Sequence, residues 1–92
     1  MEVVIAKSFL KDLKQKPKQV IASTNKLISI LEQSKTLETS GLDYTKLESQ
    51  KKGEHFYRIR MGEWRIGIEY IHPQIIIRIL ARGDMYKHFP PK

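Results

Sequence analysis

The chain has 92 residues, of which 40% are hydrophobic, enough for one small domain to close over a core with little stability in reserve. It contains no Cys, which excludes a disulfide framework, a thiolate nucleophile and every Cys-based zinc site. Lys and Arg total 17 against 10 Asp and Glu, and the resulting net charge of +7 points towards a polyanionic partner.

Residues 2–6 alternate weakly and predict a short opening strand. Ser8 is placed to cap a first helix over 9–15, with Phe9, Leu10 and Leu13 on one face. Pro17 stops that helix and suits the first turn of a second, over 18–34. There Val20, Ile21, Thr24, Leu27, Ile28 and Leu31 recur at three- and four-residue spacing, the stripe of a helix packed on one side. Residues 35–54 are polar, broken by Thr39-Ser40-Gly41, and read as a long connection anchored by Leu37, Leu42, Tyr44 and Leu47. No repeat or domain boundary interrupts the chain, so 1–92 is read as a single domain. No apolar run approaches the roughly 20 residues of a membrane span, and no basic leader precedes an apolar stretch; a cytoplasmic protein is expected.

The last third is the most specific. His55–Met61 and Trp64–Tyr70 alternate with period two around Gly62-Glu63, and a two-residue loop with Gly first predicts a type II′ hairpin. That register sets Met61 opposite Trp64, Arg60 opposite Arg65, Ile59 opposite Ile66 and Arg58 opposite Gly67. A second turn at His72-Pro73 leads into a strand over 74–82. The expected fold is α+β: a short N-terminal strand and two antiparallel helices packed on a small, mainly antiparallel sheet ending in a three-stranded meander. Parity puts Ile59, Met61, Trp64, Ile66 and Ile68 on the covered face, joined by Ile75, Ile77 and Ile79. It puts Phe56, Arg58, Arg60, Arg65 and Gly67 on the open face, joined by Arg78 and Arg82.

All five arginines lie beyond residue 50, where the net charge is +5 against +2 before it. Like charges directly opposite in a sheet repel by a few tenths of a kcal/mol or more, roughly the scale of other cross-strand pairs. A sheet selected for stability alone does not gather arginines in this way. An anion between them removes the repulsion, and a phosphodiester matches the guanidinium fork. Gly67 permits close approach to that face. A solvated basic face is the competing reading.

The segment Tyr57-Arg58-Ile59-Arg60-Met61-Gly62-Glu63-Trp64-Arg65-Ile66, with Arg82 and Tyr86 following, resembles the C-terminal half of the RelE/ParE superfamily of type II toxins. The opening strand, paired helices and long connection match that architecture, so the likeness spans the chain. The resemblance implies a ribosome-dependent mRNA endonuclease that works by attack of the ribose 2′-hydroxyl, with no cofactor and no metal. By position it implies catalytic roles for Arg60, Arg65, Arg82 and Tyr86 and a basic contact from Arg58, and His88 is similar to a C-terminal His that other members use. Phe56, Gly67 and Arg78, placed by parity on the same open face, are expected to join Arg58 in contacting RNA. Some relatives carry Lys where this chain has Arg58 and Arg60, and Arg does not give up its proton. The proton-transfer candidates are therefore Tyr86, His88, His55 and Glu63. His72, beside Pro73, is set aside, and no His or acid spacing suggests a metal site. The implied partners are a cognate antitoxin, the ribosome and mRNA. The other branches of the superfamily leave two further readings open, a ParE-like inhibitor of DNA gyrase and an inactive relative that only binds an antitoxin.

Overall fold

The computed structural model describes residues 1–47 and 55–82. The chain runs β1 (Glu2–Ile5), α1 (Lys7–Lys14), α2 (Lys18–Gln33), a 3-10 turn (Glu38–Ser40), β2 (Tyr44–Lys46), β3 (Phe56–Met61), β4 (Trp64–Ile71) and β5 (Gln74–Arg82). The five strands form one sheet in the order β1-β5-β4-β3-β2, parallel only where β1 meets β5. The last three strands are the expected meander, and the fold is α+β as read from the sequence.

The helices cover one face of that sheet. Phe9 and Leu13 of α1 and Leu27 and Leu31 of α2 meet Ile59, Ile66, Ile68, Ile75, Ile77 and Leu80, all buried. Helix α1 starts earlier than Ser8 would have it. The Ala6 N–H pairs with the Ile77 carbonyl at 2.9 Å, so the chain leaves β1 directly into the helix and Ser8 falls within its first turn. Leu10, expected on the buried face, is exposed, since it lies a step round the helix from the Phe9–Leu13 line that meets the strands. Pro17 stands at the N-cap of α2, its carbonyl accepting from the N–H groups of Val20 and Ile21. Thr24 is fully buried within the apolar stripe, and its hydroxyl donates to the Val20 carbonyl at 2.8 Å, which satisfies it. At the far end the Met1 ammonium donates to the carbonyls of Leu31, Glu32 and Ser34, meeting the negative pole of α2 with a positive charge.

The connection after α2 is more ordered than its composition suggests. Leu37 is buried and its N–H donates to the Tyr70 hydroxyl at 3.3 Å. Gly41 takes φ +77°, turning the chain into β2, a three-residue edge strand that the sequence reading left within the connection. Leu42 and Tyr44 pack on the main core, whereas Leu47 lies across the sheet with Phe56, Ile79 and Ala81.

The hairpin register is the expected one at every pair, from Met61 opposite Trp64 to Arg58 opposite Gly67, and Gly62 takes φ +60° in the turn. Strand β5 departs from simple alternation. Ile77 lies opposite Ile68 but Ile79 lies opposite Gly67, so Arg78 is an extra residue in a β-bulge. Before the bulge Ile75 and Ile77 face the helices, and after it Leu80 does. Ile79 therefore leaves the core for the opposite face, correcting its sequence assignment. Arg82, opposite Trp64, takes the parity of the helix-covered face and not that of the other arginines.

A row of aromatic rings runs along the sheet at its helix face, Tyr44 against Tyr57 at 6.1 Å and Tyr57 against Tyr70 at 5.7 Å, both edge-on. Burial pushes the Tyr57 phenol above its ordinary pKa of 10.0, helped by Glu38, Tyr44 and Tyr70. Two outcomes test this fold. Leu80→Ala should cost about 2–4 kcal/mol and Ile79→Ala clearly less in urea unfolding, since the bulge gives only Leu80 to the main core; the reverse order would mean that β5 alternates without interruption. The raised Tyr57 pKa means that folding favours the neutral phenol. Its contribution is whole below pH 10.0 and declines as pH climbs through the folded-state value. Tyr57→Phe should therefore lose less stability than the parent between about pH 9 and about pH 11, measured by thermal unfolding.

Candidate nucleic-acid interface

Period-two alternation brings Arg58 and Arg60 to the sheet face away from the helices, and the Gly62-Glu63 loop returns the chain so that Arg65 faces Arg60 directly. The structure resolves the like-charge contact within the hairpin. Arg65 Nη1 donates to the carbonyls of Gly62 at 2.8 Å and Trp64 at 2.9 Å, which swings its guanidinium onto the turn. Arg60 is exposed, and among the described residues its side chain has no hydrogen bond or ion pair. It stands as an uncommitted cation beside one tied only to neutral carbonyls.

The remaining arginines are held differently. Arg58 is half-buried, between Gly67 on β4 and Thr45 on β2. Arg78, carried outwards by the bulge, gives both Nε and Nη2 to Glu69 Oε1, at 3.0 and 2.7 Å. Its charge is answered by a carboxylate that is itself only 22% exposed. Arg82 reaches the hairpin turn from the other side, its Nη2 2.7 Å from Glu63 Oε2. Both side chains of that pair are mostly exposed, at 64% and 75%, and such pairs contribute about 0–1 kcal/mol, so this one is readily parted. The open-face arginine cluster expected from parity is thus rearranged. Arg60, Arg65 and Arg82 converge on the Gly62-Glu63 turn from two faces, while Arg78 is set apart with Glu69.

Phe56 packs with Leu47, Ile79 and Ala81, and Gly67 is buried beneath the same face, so the close approach that Gly67 permits is by protein atoms. Of the proton-transfer candidates, Glu63 is at the turn and bound to Arg82. His55 precedes β3 at its opposite end. It lies five residue steps along the strand from Arg60, about 16 Å, too far to exchange a proton at a shared phosphate. His72 lies at that same distant end, 3.5 Å from the Tyr70 hydroxyl. Tyr86 and His88 lie outside the described residues. Among the described residues no cluster of three His, Asp or Glu is placed to hold a metal, and no helix is long and apolar enough to cross a membrane. Trp64 has the expected parity and packs on the core, half-buried. Lys16, which nothing in its local sequence singles out, places its ammonium 5.5 Å from the centre of that ring.

No protein-family model matches the chain. It is 40% identical, over 98% of its length and the whole of the relative's, to Toxin RelE3 of Methanocaldococcus jannaschii. The chain belongs to the RelE family of toxins. Its fold superposes on the RelB–RelE antitoxin–toxin complex of Methanococcus jannaschii with a TM-score of 0.75, at 33% identity over 95% of this chain and 99% of that one. The RelE–RelB complex of Pyrococcus horikoshii matches with a TM-score of 0.69, at 26% identity over 88% and 92% of the two chains.

The tether on Arg65 makes a distinction within this RelE-family site. Arg65→Ala should lower stability by about 1 kcal/mol, through loss of charged hydrogen bonds to two turn carbonyls. Arg60→Ala should leave stability within about 0.5 kcal/mol or raise it, since it removes only a cross-strand repulsion. Equal losses in chemical denaturation would show that the turn does not need its guanidinium brace.

Proposed function

We propose that this toxin is a ribosome-dependent mRNA endonuclease restrained by a cognate antitoxin. The observation that carries the reading is the convergence of Arg60, Arg65 and Arg82 on one hairpin turn, with only Arg82 matched by a carboxylate. The related toxins of known structure are seen in complex with RelB antitoxins, which supports an antitoxin as this chain's partner.

In the proposed reaction the ribose 2′-oxygen attacks the adjacent phosphorus and the bond to the 5′-oxygen breaks, leaving a 2′,3′-cyclic phosphate and a 5′-hydroxyl. Charge accumulates on the non-bridging oxygens in the transition state. Fixed cations there stabilise it more than the ground state, and each lost donor typically costs about 10²–10³ in rate. Arg60 and Arg65 supply that charge, and Arg82 joins them once the phosphate replaces Glu63. The proton leaving the 2′-hydroxyl and the proton reaching the 5′-oxygen need groups that titrate, which arginine does not. Tyr86 and His88 are the proposed carriers. Arg58, Phe56 and Arg78 are proposed contributors to RNA contact on the same sheet, with Arg78 available to a phosphate only by exchange with Glu69; Gly67, being buried, serves only the packing beneath them.

Added to a translating extract, the protein should produce cuts within mRNA codons, mapped by primer extension, and should cut naked RNA poorly. Arg60→Ala and Arg82→Ala should each lower cutting about 100-fold or more while leaving unfolding curves near those of the parent. Tyr86→Phe and His88→Ala separate the two proton carriers in the same assay. Intact mRNA together with inhibited gyrase supercoiling would replace this reading with the gyrase-directed one.

A further inference from the structure

A cleft of about 230 Å³ lies between α2 and the hairpin, with Gln19, Val20 and Ser23 on one wall and Met61 to Trp64 on the other. It opens on the helix side of the sheet, whereas Arg60 and Arg65 lie on the other side. The two regions share the Gly62-Glu63 turn as a common edge.

The lining of this cleft is of two kinds. Val20, Met61 and the half-buried indole of Trp64 give an apolar wall, and Gln19 and Ser23, both exposed, offer an amide and a hydroxyl. Two of the lining residues have a cation beside them. Lys16 has its ammonium 5.5 Å from the ring centre, and Arg82 lies opposite Trp64 in the strand register with its guanidinium at Glu63. The volume is below the roughly 300–1,000 Å³ of sites that enclose drug-sized ligands, and so fits one ring system in place of several peptide side chains. Glu63 also lines the cleft, but its charge is answered by Arg82; a flat ring with polar edges joined to an anion is the ligand chemistry that matches the remaining groups.

We infer that the cleft holds one nucleotide of a bound RNA strand, its base against the Met61–Trp64 wall and its phosphate between Lys16 and Arg82. The inference rests on the proposed reading of Arg82 as a phosphate ligand, and extends it. A strand cut at the Arg60–Arg65 side would bend over the hairpin turn, and a neighbouring base would lodge on the helix side. Gln19 and Ser23 then face the base edge, where an amide and a hydroxyl accept or donate to any base. The cleft therefore adds grip with little sequence preference.

Trp64 is the sole tryptophan of the chain, so its emission reports on this wall alone. A short single-stranded RNA, carrying a label for anisotropy, should quench Trp64 with the same saturation midpoint that the anisotropy gives. Aromatic stacking of a base corresponds to about 5- to 150-fold in affinity. Ser23→Phe, which fills the cleft from an exposed helix position, should weaken binding at least about 5-fold and abolish the quench. Lys16→Gln should weaken binding and flatten its salt dependence without closing the cleft. RNA that binds by anisotropy while Trp64 emission stays unchanged would overturn the inference and leave the nuclease reading intact. Quenching without any cutting in the extract would leave the cleft assigned and sink the nuclease reading. No binding by either probe, or a quench undiminished in Ser23→Phe, would overturn the cleft. An acidic peptide that quenches where RNA does not would overturn it in favour of a protein-docking site.

Discussion

Everything at the basic end of this molecule depends on the two-residue return between β3 and β4. Gly62 supplies the positive φ that such a tight loop needs, and the loop sets the register pair by pair along the hairpin. A slip of one residue would exchange Ile59 and Ile66 for Arg60 and Arg65 at the core, an arrangement the helices could not cover. The burial of Ile59, Ile66 and Ile68 therefore places the arginines as firmly as any contact the arginines make themselves. Packing energy on one face is what holds like charges together on the other.

The same turn also gathers charge from outside the hairpin. Its carbonyls hold Arg65 and its one acidic side chain holds Arg82. These attachments differ in kind. A guanidinium on neutral carbonyls keeps its full charge for an anion, while one on a carboxylate presents a pair that must exchange partners. Arg60 has neither, so the three cations form a graded series at a single edge.

Much of this was legible in the sequence, for reasons that can be named. The hairpin carried a two-residue period on both sides of a Gly-led turn, and local signals of that kind survive any tertiary context. Strand β5 did not, because Ile75, Ile76, Ile77, Ile79 and Leu80 are apolar at both parities and an extra residue among them changes no pattern. The bulge follows from the fit of β5 between β4 and the helices, a non-local condition. That fit moved Ile79 out of the core and Arg82 across the sheet. Strand β2 escaped notice because three residues exist as a strand only through pairing with β3. The arginine positions on β3 and β4 could be read, but their partners could not: Glu69 meets Arg78 from nine residues away and Glu63 meets Arg82 from nineteen.

Sheet order adds a consequence for how the chain is made. The first strand pairs with the last, Glu2 lying beside Gln74 with a side-chain bond of 2.9 Å across 72 residues of sequence. Strand β5 also sits between β1 and β4, so β1 cannot join the other strands before it arrives. Contacts of such long range form late, after their loop-closure entropy has been met. A chain still emerging from synthesis would hold a helical pair with its apolar face open and a hairpin with one uncovered side, but no Arg82. The meeting of Arg82 with Glu63 at the hairpin turn therefore comes into being only with the final act of folding.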